Sequence, residues 1–169
     1  MALSSSLRDL EGEVELAVVG GGSLWSDYSG LLEGLDPSVG RALGRLDREE
    51  VRQLVAASRC VLQLSRYEPF GLTVAEALAC GVPVVVTPAV GAAEGLPAEV
   101  ARGVEPGDVA AVDAAVRELL SLAPDERAFL AARCRHAARR FAPDVVAAAL
   151  YEALVEVASP ATRAAGTVE

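Results

Sequence analysis

No lysine occurs among the 169 residues, so all 15 basic side chains are arginines, set against 24 acidic ones and a net charge of -9. The absence of lysine excludes a phosphate-binding lysine of the Walker type, a Schiff-base enzyme and a pyridoxal enzyme. The acidic balance argues against nucleic acid as a partner, because that binding depends on cations that neutralise phosphates. Aromatic residues make up only 4% of the chain, too few for a base-stacking platform.

Histidine and cysteine are scarce as well. His136 is the single histidine, so a Ser/His/Asp or Cys/His site has one candidate base and a multi-histidine metal site has none. The cysteines are odd in number and form no C-x-x-C pair, which is typical of reduced thiols. They are Cys60, Cys80 and Cys134.

Long apolar runs are also missing. The first residues contain neither a basic n-region nor an apolar h-region, and later apolar runs fall far short of about 18 residues. We therefore expect no export signal, no membrane span and a cytoplasmic location.

Strand-like and helix-like stretches alternate along the chain. We predict strands over 14–19, 39–43, 60–64, 82–87 and 100–104, and helices over 26–35, 48–57, 72–80, 108–122, 125–141 and 144–157. Asp47 and Glu50 form a predicted capping box, and Gly81 a left-handed helix cap. This alternation predicts an α/β fold, a doubly wound Rossmann-like parallel sheet flanked by helices. We expect one domain over 1–158 and a disordered tail over 159–169.

The segment between the third and fourth predicted strands carries the chemistry. Glu68 stands on a loop and Glu76 on the first turns of the following helix. Such carboxylates accept paired hydrogen bonds from the vicinal hydroxyls of a sugar or ribose. Between them, the free amides of Gly71, Leu72 and Thr73 at a helix N-terminus form an anion site suited to phosphate. Together these groups are the ones needed to hold a nucleoside diphosphate sugar.

The residues from 68 to 85 read Glu-Pro-Phe-Gly-Leu-Thr-Val-Ala-Glu-Ala-Leu-Ala-Cys-Gly-Val-Pro-Val-Val. This run resembles the E-x7-E signature of the family 4 (group 1) retaining glycosyltransferases, in their C-terminal, donor-binding domain. The three glycines at 20–22, the turn at 44–50, the Gly-Ala-Ala-Glu loop at 91–94 and the turn at 106–108 are similar to the family's pattern, in its order. The resemblance covers residues 14–157 and implies the C-terminal half of a GT-B fold.

The resemblance also implies roles. Glu68 would be the catalytic position in contact with the donor sugar, Glu76 would hold the ribose hydroxyls, and the amides from Phe70 to Thr73 would receive the diphosphate. No metal or other cofactor is implied. The remaining donor-binding positions would be Gly20, Gly21, Gly44 and Leu46.

The chain departs from the family in two ways. We expect the N-terminal, acceptor-binding domain to be missing from these residues, together with the first strand of the C-terminal domain and the Lys-containing loop that follows it. Either Arg45 or Arg66 replaces that cation, or both are surface residues. The chain is then expected to be the donor-binding part of a truncated or split transferase, which works when another chain supplies the acceptor domain.

Alternative interpretations of these residues stay open. The chain is alternatively a non-catalytic module that binds a nucleotide sugar or only a nucleotide, or a remnant with an exposed sheet edge and marginal stability. The glycines at 20–22 also fit a plain tight turn, because Trp25 stands where a third motif glycine is needed. Glu94 is either a ligand-facing acid or a surface acid, and the arginine-rich stretch 133–140 fits a solvated helix face.

Overall fold

The computed structural model describes residue 7, residues 14–21 and residues 35–158. The strands are β1 (Leu16–Val19), β2 (Gly40–Gly44), β3 (Val61–Gln63), β4 (Val84–Val86) and β5 (Ala101–Gly103). The helices are α1 (Arg48–Ala57), α2 (Leu72–Ala79), α3 (Val109–Ser121), α4 (Pro124–Ala138) and α5 (Pro143–Ala158), with single 3-10 turns at Gly91–Ala93 and Arg139–Phe141. The helix predicted over 26–35, apart from its last residue, and the tail predicted over 159–169 lie outside the described residues.

Local signals at the helix ends are confirmed. The Asp47 carboxylate accepts a hydrogen bond from the Glu50 amide at 2.8 Å, and the Glu50 carboxylate accepts one from the Asp47 amide at 2.7 Å. This reciprocal pair starts α1 at Arg48 as predicted. Gly81, just after α2, has the expected left-handed backbone, with φ of +83°.

The five strands are parallel and pair as two ladders, β1 with β2 and β3-β4-β5. One continuous sheet was expected. In the doubly wound strand order 3-2-1-4-5-6, leaving out the first strand separates the pair 3-2 from the triplet 4-5-6. The two ladders match these two pieces, and among the described strands none bonds to the free edge of β1 or of β3. In that strand order, the place of a first strand lies between the two pieces, and no described strand occupies it.

The core lies around β4, whose three valines are buried on both faces. From α2, Val74 and Leu78 pack into this core, and Val116 and Leu119 of α3 belong to the same cluster. Helix α4 packs on α2 through Leu130 and Cys134. Burial of both faces confirms the prediction that helices flank the central strand on two sides.

Helix α5 differs from the other helices because all of its residues are exposed. Its large apolar side chains are Val145, Val146, Leu150, Tyr151, Leu154, Val155 and Val157. Nothing in the described part of the chain covers this apolar surface. Across those same residues, no helix has the length and apolar character needed to span a membrane.

Candidate functional site

Two loops at the carboxyl ends of neighbouring strands are joined by backbone hydrogen bonds. The 65–71 loop follows β3 and the 87–94 loop follows β4. The Glu68 amide donates to the Ala89 carbonyl at 3.1 Å, and the Gly91 amide donates back to the Glu68 carbonyl at 3.1 Å. A third bond runs from the Ala92 amide to the Phe70 carbonyl at 2.6 Å. The loops therefore form one body rather than two independent segments.

Two glycines make this close approach possible. Gly71 has a φ of +91°, which disfavours side chains, and a Cβ there would lie 2.7 Å from Cγ1 of Val90. A Cβ on Gly91 would lie 2.3 Å from the Pro69 carbonyl oxygen. The resemblance pointed to both glycines, and the structure supplies the steric reason for each.

Thr87 anchors the base of the two loops. It is 1% exposed, and its hydroxyl donates to the Ser65 carbonyl. Beside it, Gln63 Nε2 donates to the Ser65 hydroxyl oxygen at 2.9 Å. Sequence reasoning treated Thr87 only as the end of a strand. The available signal was its position at the end of an apolar run, because a hydroxyl buried there needs a partner.

The two glutamates flank the start of α2 in the sequence, since Glu68 lies on the 65–71 loop and Glu76 in the second turn of the helix. The half-buried Glu68 turns its carboxylate towards its own loop, where Oε1 accepts from the Phe70 amide at 3.3 Å. Glu76 is exposed, and its carboxylate makes no hydrogen bond with any described residue. It is thus available to accept hydrogen bonds from a ligand.

The N-terminus of α2 lies between the glutamates. Gly71 is its N-cap and has no side chain to accept from the first amides. Within the described chain, the amides of Leu72 and Thr73 have no acceptor, and both residues are exposed. Unpaired amides at a helix start attract anions, so this end of α2 is suited to a phosphate.

The remaining predicted positions form a second group at the carboxyl ends of β1 and β2. The Gly20 amide donates to the Gly44 carbonyl at 2.8 Å, and a Cβ on Gly21 would lie 3.4 Å from the Arg45 side chain. Leu46 follows, half-buried, just before α1. The structure thus brings the predicted residues together in two groups, one on each ladder.

The charged residues of the stretch 133–140 are exposed, as predicted for a solvated helix face. Two of them, Arg133 and Arg140, also bond to the segment after β4. Arg133 pairs with Glu99, and Arg140 Nη1 donates to the Glu94 carbonyl at 3.0 Å. Arg140 and Glu94 are exposed, so these contacts fix the segment without burying charge. Arg66 is exposed on the 65–71 loop.

The three cysteines, Cys60, Cys80 and Cys134, lie outside the two loops. Burial raises the pKa of the Cys60 and Cys134 thiols to about 11, so both stay protonated at neutral pH. In the part of the chain that the structure describes, no group of three His, Cys, Asp or Glu side chains is placed to hold a metal ion. The groups that the two loops and the start of α2 offer include carboxylates and backbone amides, which form hydrogen bonds.

Comparison with known families and sequences gives matches over most of the chain. The profile of the family described as "Glycosyl transferases group 1" matches residues 2–122. Over 105 residues, 62% of this chain, the sequence is 35% identical to the glycogen synthase of Mycobacterium tuberculosis. That match spans about a quarter of the relative, since it covers 24% of its length.

Solved structures give the same picture. The Anabaena protein HepE, determined with UDP and glucose, superposes with a TM-score of 0.75 at 26% identity, over 92% of this chain and 44% of that one. Sucrose-phosphate synthase from Thermosynechococcus elongatus superposes with a TM-score of 0.71 at 25% identity, over 92% and 42%. Trehalose 6-phosphate synthase from Burkholderia multivorans shares the fold, with a TM-score of 0.78 at 19% identity, over 99% and 41%. The chain thus corresponds to about two-fifths of these proteins.

Proposed function

The chain belongs to the group 1 glycosyl transferases, and from this we propose that it is the donor-binding half of a retaining transferase that holds a nucleoside diphosphate sugar. The observation that carries the proposal is the interlocked pair of loops. These loops and the helix that follows carry Glu68, the open N-terminus of α2 and the unpaired Glu76 carboxylate, in that order along the chain. A nucleoside diphosphate sugar has an anionic centre with hydroxyl-bearing rings on both sides, so its groups match this order.

Each of these groups has a role in binding the donor. The amides of Leu72 and Thr73 receive the diphosphate, the Glu76 carboxylate accepts from the ribose hydroxyls, and Glu68 lies against the sugar. The loop ends at Gly20, Gly21, Gly44 and Leu46 border the base. HepE, whose structures were determined with UDP and with UDP-glucose, supports UDP and UDP-glucose as the first ligands to test.

During transfer, the bond between the sugar and the diphosphate breaks, and negative charge develops on the departing phosphates. Amides already oriented at the start of α2 stabilise that charge without reorganisation, and such stabilisation is often the largest catalytic contribution. We propose that no metal ion is needed. Unchanged nucleotide affinity in the presence of a chelator would support this, and loss of binding would contradict it.

Transfer also requires an acceptor site, which we assign to another half, either elsewhere in a longer polypeptide or on a separate chain. The chain covers about two-fifths of the length of each of these solved structures, which supports this assignment. The exposed apolar surface of α5 is a further reason, because seven large apolar side chains on one uncovered helix are typical of an interface. The second candidate is a module that binds the nucleotide without turnover. It is supported because every group assigned to the site serves to bind the nucleotide sugar.

Calorimetric titration of the chain with UDP, GDP and ADP, followed by UDP-glucose, tests the proposal. We expect one nucleotide to bind saturably. Glu76→Gln removes the charge of the side chain and keeps its shape. It should weaken the binding free energy by about 1.5–3 kcal/mol, as for hydrogen bonds to charged groups. Glu152→Gln, on the exposed α5, is the matched control and should bind like the unmodified chain. A folded chain that binds none of the ligands would overturn the proposal.

A second experiment separates the two candidates. Once a nucleotide sugar binds, the chain is mixed with the acceptor half of a related transferase and with acceptor sugars, and release of the free nucleotide is followed. Turnover that depends on both parts supports the split enzyme. Binding without turnover under all combinations supports the non-catalytic module.

A further inference from the structure

The 3-10 turn between α4 and α5 contacts both loops of the site from outside. Phe141 lies edge-on to Phe70, with the ring centroids 5.8 Å apart and the ring planes at 88°. Arg140 Nη1 donates to the Glu94 carbonyl at 3.0 Å. The guanidinium carbon of Arg140 lies 5.4 Å from the centroid of the Phe141 ring. Two adjacent residues therefore connect to the 65–71 loop through Phe70 and to the 87–94 loop through Glu94.

These contacts lie where the backbone bonds between the loops end. The three backbone bonds join residues 68–70 to residues 89–92. Phe70, which makes the last of these bonds on its loop, is 45% exposed, and Glu94 lies two residues beyond the last bond on the other loop, exposed at the end of its 3-10 turn. Phe70 directly precedes Gly71, the N-cap of α2. A contact on the Phe70 ring therefore acts on the residue next to the start of the helix.

We infer that Arg140 and Phe141 are positioning residues for the donor, which they hold in place through Phe70 and Glu94 without touching it. The inference rests on the proposed function, since it concerns the same site. An edge-to-face aromatic pair has a preferred geometry, and a guanidinium over the Phe141 ring favours one orientation of that ring. The turn thus sets the separation of the two loops and the direction of the first amides of α2.

The affinity test uses the full chain and UDP, or GDP or ADP if one of those binds instead. Arg140→Ala and Phe141→Leu should each weaken binding on the order of fivefold, as for one lost hydrogen bond in the first variant and one lost aromatic pair in the second. Phe141→Tyr keeps the aromatic edge and Arg140→Lys keeps a donor, so both should recover most of the affinity. The matched controls are Arg139→Ala, the neighbouring exposed arginine, and Phe129→Leu, an exposed aromatic residue on α4. Both should bind like the unmodified chain.

Hydrogen exchange gives a readout that needs no ligand. The amides of Gly91 and Ala92 donate to the Glu68 and Phe70 carbonyls across the loops. In Arg140→Ala and Phe141→Leu they should exchange several-fold faster, because the loops separate more often. Amides in β4 should keep their rates, which distinguishes a local opening from general destabilisation.

The outcomes separate this inference from the proposed function. If the unmodified chain binds no nucleotide, the proposed function fails and this inference fails with it. If it binds, but Arg140→Ala and Phe141→Leu bind as tightly as the controls, only the inference is overturned. Weaker binding that follows a lower melting temperature, with no rescue by the conservative variants and unchanged exchange at Gly91 and Ala92, also overturns it.

Discussion

Pro69 and Gly91 approach so closely that one methyl group is enough to separate the two loops. A Cβ on Gly91 would lie 2.3 Å from the Pro69 carbonyl oxygen, which is a backbone atom and cannot rotate away. We expect Gly91→Ala to lower the free energy of unfolding by about 1–3 kcal/mol, as for other overpacked positions, and to weaken nucleotide binding. Urea unfolding and calorimetry would measure both.

Gly103→Ala is the matched control for that substitution. Gly103 ends β5, and a Cβ there meets nothing within 4 Å. Its replacement should leave stability unchanged or raise it slightly, because alanine restricts the unfolded chain. Equal effects of Gly91→Ala and Gly103→Ala would contradict the steric explanation.

The buried thiols predict a loss of stability at alkaline pH. Burial raises the pKa of Cys60 and Cys134 from 9.0 to about 11 in the folded chain. A raised folded pKa contributes stability that is complete below pH 9 and is lost as the pH rises to about 11. Each thiol should reduce the free energy of unfolding by about 1.4 kcal/mol per pH unit in this window.

Unfolding in urea at pH 8, 9, 10 and 11 would measure the effect. Cys134→Ala should flatten the pH dependence relative to the unmodified chain, whereas the half-buried Cys80→Ala serves as the control. A slope that Cys134→Ala leaves unchanged would show that other groups cause the alkaline loss.

Among individual residues, sequence reasoning singles out those whose signal is local and overlooks those whose partners are distant. Glu68 and Glu76 were singled out because their spacing matches a known signature, and their role stays a prediction. Arg140 and Phe141 were not, because their contacts with Glu94 and Phe70 cross 46 and 71 residues of chain. Only the folded chain brings such pairs together.

The capping box at the start of α1 makes a prediction about a single helix. Asp47 and Glu50 each accept from the amide of the other. Asp47→Ala should lower the free energy of unfolding by about 1 kcal/mol. The double variant with Glu50→Ala should cost less than the sum of the single variants, because the two bonds depend on each other. The control is Arg48→Ala, at the exposed first position of the same helix. Additive effects of Asp47→Ala and Glu50→Ala on the free energy of unfolding would contradict the reciprocal arrangement.

The helices and strands were largely predictable because their signals are local. The capping box, the glycine after α2 and the apolar run of β4 act over a few residues, and α1 was predicted with the bounds that the structure shows. The pairing of the strands was less predictable. Alternation of elements indicates a parallel fold but does not tell which strands share a ladder, and the division into two ladders appeared only in the structure.

That division has a consequence for the free edge of β3. Val61 donates to the Pro83 carbonyl, and the Gln63 carbonyl accepts from Thr87, so residues 61 and 63 face β4. Because successive residues of a strand direct their backbone groups to opposite sides, Leu62 faces the side on which no described strand pairs with β3. In the strand order of a doubly wound sheet, this is the place of the first strand.

Hydrogen exchange at single-residue resolution would test the open edge. We expect the Leu62 amide to exchange much faster than the amides of Val61 and Gln63, because water reaches it without unfolding of the ladder. A polypeptide that includes both the acceptor half and the first strand of the donor half is then added. It should slow the hydrogen exchange of the Leu62 amide and leave that of Val61 unchanged. Equal protection of all three amides in the chain alone would contradict an open edge at β3.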